Sequence, residues 1–307
     1  MDRILITGVA GFIGSKVANY LISKGHNVIG VDDLSSGSLD NVPSKCKFIK
    51  GDLSNESTIS KIPKNCTKIL HLAGQSSGEI SFDDPIKDLE KNTISTLNLI
   101  NYGIKNNSER IVYASSMSIY GNVKDEAVTE SQILKPLSCY GVGKLAAEGY
   151  LRVYQKQLPY VSMRMFNVYG PGQNLNNLRQ GMVSIYVAQA LTMGRIQVKG
   201  GLDRFRDFIH IDDVVSAWVK AAFSNKAIGK SINIGTGIRT PVKDLLEKIV
   251  SKTENASFYQ DGSTPGDQTG IYSDNSVMKE TLDIRRFISL DEGLEHFINW
   301  ARNKVKE

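Results

Sequence analysis

An α/β protein built around a doubly wound parallel sheet, with a smaller C-terminal α/β unit, is predicted by three observations. Short β-rich runs alternate with longer helical ones through the first half of the chain. Those short runs are apolar throughout, as in strands that crossover helices cover on both faces. Near residue 170 the alternation gives way to a stretch rich in Gly, Asn and Gln. At 307 residues the chain also exceeds one ordinary domain.

Residues 3–7 read as the first strand, 12–24 as a helix with Ile13, Val17, Leu21 and Ile22 on one face, and 27–31 as the second strand. Further strands read at 46–49, 68–72, 110–115 and 160–165, and the clearest helices at 92–106 and 140–155. After Phe166, residues 170–181 read as a long loop of the kind kept for binding, and 254–275 as a second. Pieces at 206–213 and 230–237 read as strand and turn that rejoin the first sheet. The expected division is residues 1–170, rejoined by segments near 206–237, and residues 171–307.

Composition excludes several classes. With 41% hydrophobic and 22% charged residues the chain is neither disordered nor fibrous. Its apolar runs fall far short of the roughly 20 residues that cross a bilayer, so no membrane partner is expected. Asp2 and the glycines at 8, 11 and 14 do not fit a secretory leader, which leaves a cytoplasmic protein as the expectation. A dispersed net charge of +5 argues against nucleic acid and is compatible with a small anionic ligand in one cleft. Cys46, Cys66 and Cys139 are odd in number and lack ligand spacing, so neither a disulfide framework nor a metal site is expected.

The segment T-G-V-A-G-F-I-G, residues 7–14, ends the first strand and opens the first helix. Gly8, Gly11 and Gly14, with Phe12 and Ile13 between them, suit a tight turn that lets a pyrophosphate approach the helix N-terminus. Asp32 ends the second strand 18 residues past Gly14, close to the spacing of about 20 for a carboxylate that binds ribose hydroxyls. Asp33 is its neighbour. A carboxylate there repels a 2′-phosphate, so NAD is favoured over NADP, on a Rossmann-type sheet.

Tyr-x-x-x-Lys places a phenol and an ammonium on one helical face, where the cation favours the phenolate. The spacing occurs three times, as Tyr20 with Lys24, Tyr120 with Lys124, and Tyr140 with Lys144. Position selects the third, which follows an irregular loop and opens a long amphipathic helix. The strand I-V-Y-A-S before that loop runs into S-S-M-S-I-Y-G, which places Ser115, Ser116 and Ser118 where ligands bind in open parallel sheets.

With these motifs assembled, the chain resembles the extended short-chain dehydrogenase/reductases, and among them the nucleotide-sugar 4-epimerases of the UDP-galactose epimerase type. The resemblance rests on T-G-x-x-G-x-x-G, D-D-L-S-S-G, G-D-L at 51–53, H-L-A-G at 71–74, S-S-M-S-I-Y-G, Y-G-V-G-K, R-M-F-N-V-Y-G-P, R-D-F-I-H-I-D-D and P-G-D at 265–267, in the family's order. It implies Ser116 as catalytic serine, Tyr140 as base, and Lys144 as the residue that binds the nicotinamide ribose. It further implies that Asp52 and Leu53 flank adenine, that Leu72, Ala73 and Asn92 line the cofactor channel, and that Asn167 and Arg206 meet the substrate diphosphate. By the same resemblance Met182 and Val183 fall in the segment covering the base, and Ile271 near the position that gates N-acetyl sugars. A homodimer built on helices 92–106 and 140–155 is implied as well.

Related dehydratases carry an Asp-Glu pair directly after the catalytic serine or threonine, where this chain has Met117 and Ser118. Without that pair, elimination lacks its acid and base. The acidic signature of the related decarboxylases is missing too. The expected activity is therefore NAD-dependent 4-epimerisation of a nucleotide sugar through a transient 4-keto sugar, with no net redox change. The alternative is a 4-dehydrogenase or 4-ketoreductase that uses the same trio and releases its product. Thr264 stands where the family commonly has an arginine for the diphosphate, and Cys139, where proline is common, reads as packing.

Overall fold

The computed structural model describes residues 2–262 and 269–306. In chain order the strands are β1 (Arg3–Thr7), β2 (Asn27–Asp32), β3 (Lys47–Lys50), β4 (Lys68–His71), β5 (Arg110–Ser116), β6 (Tyr160–Met165), β7 (Asn167–Tyr169), β8 (Arg195–Val198), β9 (Phe205–Arg206), β10 (Phe208–His210), β11 (Lys230–Ile234), β12 (Thr240–Pro241) and β13 (Ser257–Gln260). The helices are α1 (Phe12–Ser23), α2 (Glu56–Ile59), α3 (Pro85–Leu89), α4 (Ser95–Lys105), α5 (Cys139–Val153), α6 (Met182–Met193), α7 (Ile211–Phe223), α8 (Val242–Lys252), α9 (Ser276–Leu282) and α10 (Leu290–Lys306).

Seven strands form one parallel sheet in the order β11-β6-β5-β4-β1-β2-β3. The chain winds outward from β1 through β2 and β3, then returns to β4 on the other side. The crevice at the carboxyl ends of β1 and β4 is thus a topological switch point, where open α/β sheets bind ligands. Alternate residues of each strand enter opposite cores. Ile4, Ile6, Val112, Val161 and Ile232 pack with Val17, Leu21 and Trp218 on one face, and Leu5, Ile69, Ile111 and Tyr113 pack with Leu99 and Leu151 on the other. Both faces are covered, which accounts for the unbroken apolar strands.

A third core joins α6, α8 and α10 through Val187, Leu245, Leu246, Phe297 and Ile298. The strand Lys230–Ile234 enters the main sheet beside β6. The 206–213 segment does not: β9 pairs with β12, β10 pairs with β7, and Ile211 starts α7. Two further expectations need correction. The stretch 254–275 contains β13, which pairs with β8. The helix expected at 92–106 begins earlier, and a π-helical turn at Glu90–Ile94 joins α3 to α4.

Candidate active site

At the end of β1 the chain turns sharply, and Gly8 adopts a positive φ of 70° that side chains strain to reach. A Cβ on Gly14 would lie 2.0 Å from the Gly8 carbonyl oxygen, so only glycine permits this packing of turn on helix. Gly11 caps α1 without a side-chain hydrogen bond, and the first turn, which includes Phe12 and Ile13, carries no acidic residue. The amides and dipole of that terminus suit an anion. At the tip of β2, Asp32 accepts hydrogen bonds from the amides of Ala10 (3.0 Å) and Leu34 (2.8 Å). Burial pushes its carboxyl up from the ordinary value despite those bonds. Asp33 and Asp52 both pair with Lys91, the latter at 2.7 Å. Leu53 is buried, Leu72 and Ala73 are half-buried beside Gly8, and Asn92 is fully buried.

Ser116 ends β5, and its hydroxyl oxygen accepts a hydrogen bond from the Ser118 amide (3.1 Å) and donates to the Ser118 hydroxyl (3.2 Å). The next helix, α5, starts at a Ser138 cap whose hydroxyl oxygen accepts from the Gly141 amide (3.1 Å). Gly141 lets that turn approach β5 closely, since a Cβ there would lie 2.7 Å from the Ser118 carbonyl oxygen. Tyr140, Lys144 and Glu148 follow at helical spacing and are all buried. The Lys144 ammonium lies 5.6 Å from the Tyr140 ring centroid and 5.0 Å from that of Tyr113.

The electrostatics differ from the sequence expectation at Tyr140. Burial pushes its phenol up to about 12, against a side-chain hydrogen bond with Ser116 that favours the phenolate. Lys144 does not offset this in the protein alone, because its own ammonium, pulled down to about 8, has lost its proton before a phenol at about 12 ionises. Lys144 itself is pulled down to about 8 by burial, although the nearby Asp88 carboxylate favours its charge. Asp88 accepts hydrogen bonds from Gln75 (2.9 Å) and Asn92 (3.1 Å).

Sequence reasoning missed the device that holds α5 on the sheet. Arg164 on β6 donates to both Glu148 oxygens (3.0 and 2.8 Å) and to the Tyr120 hydroxyl (3.0 Å). Tyr120 in turn donates to Asn233 on β11 (2.6 Å). The second Tyr-x-x-x-Lys pair therefore supplies a structural tyrosine, and the first is a surface pair, with Tyr20 41% exposed. His71 of H-L-A-G is a neutral core residue between Thr7 (2.8 Å) and Thr96 (3.0 Å), its pKa lowered by burial to about 3.

A cleft of about 510 Å³ opens where β5 ends and α5 begins; Met117, Ser118, Asn167, Arg179, Arg204 and Arg206 are among its lining residues. No carboxylate stands at Met117 or Ser118. Asn167 donates to the Asp207 carbonyl (3.2 Å), and Arg206 donates to the Phe205 carbonyl (2.8 Å). Two expected substrate residues do not line this cleft. Val183 packs into the core of α6, α8 and α10 because Met182, one position earlier, takes the cleft-facing place. Ile271 is buried against Ile119, Tyr120, Val128 and Phe166. Thr264 and P-G-D at 265–267 lie outside the described residues. Cys139 opens α5, and all three cysteines are free. Among the described residues no cluster is placed to hold a metal ion, and no helix is long and apolar enough to cross a membrane.

Three features fit a bound dinucleotide: the glycine turn at an open helix N-terminus, the carboxylate at the tip of β2, and a buried Asn92 Oδ1 without a hydrogen-bond partner. The last is costly unless a ligand donor satisfies it.

A doubly wound sheet with this turn, this carboxylate and a Ser–Tyr–Lys grouping defines a dinucleotide-dependent enzyme of the short-chain dehydrogenase/reductase kind. The profile of the NAD dependent epimerase/dehydratase family matches residues 4–235, and the chain belongs to that family, with NAD as its cofactor. It is 33% identical to the UDP-glucose 4-epimerase of Mycolicibacterium smegmatis, over 98% of this chain and 99% of that one. Among solved structures it is similar to the UDP-glucose 4-epimerase of Thermotoga maritima with UDP-glucose (TM-score 0.93, 32% identity, 99% of each chain covered). It is also similar to that of Thermus thermophilus with NAD (TM-score 0.89, 29% identity, 98% of this chain and 99% of that chain covered).

Proposed function

We propose that the protein is an NAD-dependent nucleotide-sugar 4-epimerase acting on UDP-hexoses. The observation that carries this reading is the convergence of Ser116, Tyr140 and Lys144 where β5 ends and α5 begins, with Met117 and Ser118 in place of a second acid–base pair. Gly8, Gly11, Phe12, Ile13 and Gly14 hold the pyrophosphate of NAD. Asp32 and Asp33 bind the adenosine ribose, Asp52 and Leu53 border adenine, and Leu72, Ala73 and Asn92 line the channel to the nicotinamide. When bound, NAD supplies the hydride acceptor and donor and a positive ring that favours the Tyr140 phenolate.

Tyr140 takes the proton of the sugar 4-hydroxyl and later returns it, and Ser116 orients that hydroxyl. Lys144 binds the nicotinamide ribose and adds a positive charge beside the phenol. Asn167 and Arg206 hold the diphosphate while the 4-keto sugar turns over and presents its other face, Arg206 as a planar donor suited to phosphate oxygens. Met182 borders the base with Val183 backing it from the core, and Ile271 backs the sugar pocket from the core. The chain divides into a cofactor domain, residues 1–170 with α7, β11 and α9, and a nucleotide-sugar domain in the remainder.

The reading extends to a cytoplasmic homodimer. Free cysteines support the location. Of the two helices expected at the dimer contact, α5 supports a helical interface with exposed Val142, Tyr150 and Val153, while on the other side the exposed apolar residues are Ile86 and Leu89 of α3 rather than residues 92–106.

The test is incubation of the purified protein with UDP-, GDP-, CDP- and dTDP-sugars without added cofactor, followed by sugar analysis. Interconversion of UDP-glucose and UDP-galactose is expected. Dependence on added NAD with release of a ketone identifies the dehydrogenase or ketoreductase instead and overturns the epimerase reading.

A further inference from the structure

We infer that Lys91 is an electrostatic clasp that closes the adenosine end of the cofactor cleft and sets how long NAD is retained. The inference rests on the assignment of this cleft to NAD.

Lys91 comes from the π-helical turn Glu90–Ile94, between α3 and α4. It reaches across to two loops that follow different strands, pairing with Asp33 after β2 and with Asp52 after β3 (2.7 Å). Its partners are 58 and 39 residues away in sequence. The side chain is 17% exposed, and those of Asp33 and Asp52 are 25% and 29% exposed, so all three are partly shielded from water. The fold does not need this contact to align the strands. β2 and β3 are already in register from Ile29 to Asp32, and the Gly51 amide donates to the Asp32 carbonyl at 3.0 Å.

Its charge answers a local problem instead. Asp32, Asp33 and Asp52 bring three carboxylates to the site that must accept a dinucleotide with a negatively charged pyrophosphate. Lys91 acts on all three, by direct pairing with two and through space on Asp32. Burial alone pulls its ammonium down, but Asp33 and Asp52 outweigh this and hold it above its usual value, so the clasp is charged at neutral pH. Removing it leaves like charges facing one another and frees both loops to part.

The π-turn also sets Asn92 directly after Lys91. Asn92 packs beneath Gly74, where its Oδ1 would lie 2.5 Å from an added Cβ, and near the Lys144 ammonium. One irregular turn thus serves both ends of the cleft, the placement in which single π-turns recur at functional sites.

The test uses the purified holoenzyme. NAD released over time into a large excess of competing nucleotide is measured for wild type, Lys91→Met and Lys91→Arg, at low and high salt. Lys91→Met is expected to release NAD roughly tenfold faster or more, with Lys91→Arg close to wild type. Release from wild type is expected to quicken with salt while that from Lys91→Met does not, as for an ion pair and unlike a packing contact. Circular dichroism of the nucleotide-stripped variants establishes that they fold. Equal release from wild type and Lys91→Met, or the same salt response in both, overturns the clasp. A wild type that carries no NAD overturns the cofactor assignment instead.

Discussion

Lys144 is placed where catalysis needs it and where folding resists it, and the conflict is measurable. Its ammonium titrates at 10.5 in the open chain and at about 8 here, with burial the main cause and Asp88 the partial counterweight. At 1.36 kcal/mol per tenfold change in proton affinity, that gap is about 3 kcal/mol. The folded protein gives up the proton more readily than the unfolded chain. Between about pH 8 and pH 10.5 the unfolded state therefore holds more protons, and stability rises with pH; below about 8 the full cost is present. Lys144→Met removes the buried charge and keeps the stem. It also removes attraction to Asp88 and to the rings of Tyr113 and Tyr140. The expected gain is about 1–3 kcal/mol at neutral pH, shrinking across that pH window, with turnover lost. Urea unfolding of nucleotide-stripped wild type and variant across the window reads it, with the buried Trp218 as a fluorescent reporter. A variant less stable than wild type at pH 7, or a gain that does not change with pH, refutes the reasoning.

Tyr140→Phe removes the proton acceptor but not the shape of the site, so kcat falls by about a thousandfold while NAD content, read by absorbance of released nucleotide, stays at the wild-type level. In Gly14→Ala a new Cβ must sit 2.0 Å from the Gly8 carbonyl oxygen; the turn shifts, and the purified protein is expected to carry little NAD. Glu148→Ala leaves Arg164 charged, buried and short of its bidentate partner, at a cost of about 3–5 kcal/mol. Thermal melts read that loss, and a change of less than about 1 kcal/mol contradicts the anchoring role.

What the sequence made legible follows from locality. The strand expected at 110–115 is Arg110–Ser116, and that at 160–165 is reproduced, because a strand buried on both faces writes itself as one apolar run. The glycine turn and Asp32 are readable because their geometry lies within one βαβ unit. Tyr140 was separable from Tyr20 and Tyr120 by its place after a loop. The rest depends on contacts between distant residues. Arg164 meets Glu148 across 16 residues and Tyr120 meets Asn233 across 113, with no motif to announce either. β13 is hidden in a polar stretch because its partner is β8, some 60 residues earlier. The π-turn under Lys91 and Asn92 is a shift in backbone hydrogen bonding with no composition of its own. The rise of Tyr140 to about 12 reflects burial, which a spacing cannot report.

The same helix carries both the costly groups and what restrains them. Along α5 the buried stripe runs Tyr140, Lys144, Glu148 and Leu151, while Val142, Tyr150 and Val153 face outward. Tyr140 and Lys144 occupy its opening turns, where Ser138 caps the helix and Gly141 lets it press on the Ser118 carbonyl. Neither contact fixes rotation about the helix axis. Glu148 does, one turn or about 6 Å beyond Lys144, because a bidentate bond to Arg164 tolerates little rotation. Arg164 is itself tied through Tyr120 to Asn233 on β11, so the orientation of the phenol is referred to two strands of the sheet and the turn after β5. The irregular 121–138 loop can then vary in sequence without moving the reacting oxygen, provided that Ser138 still caps α5, that the Val128 carbonyl still accepts from the Asn233 side-chain amide (2.7 Å), and that Glu130 still accepts from Arg164 through its carbonyl (3.0 Å) and from the Asn233 backbone amide through its side chain (2.7 Å).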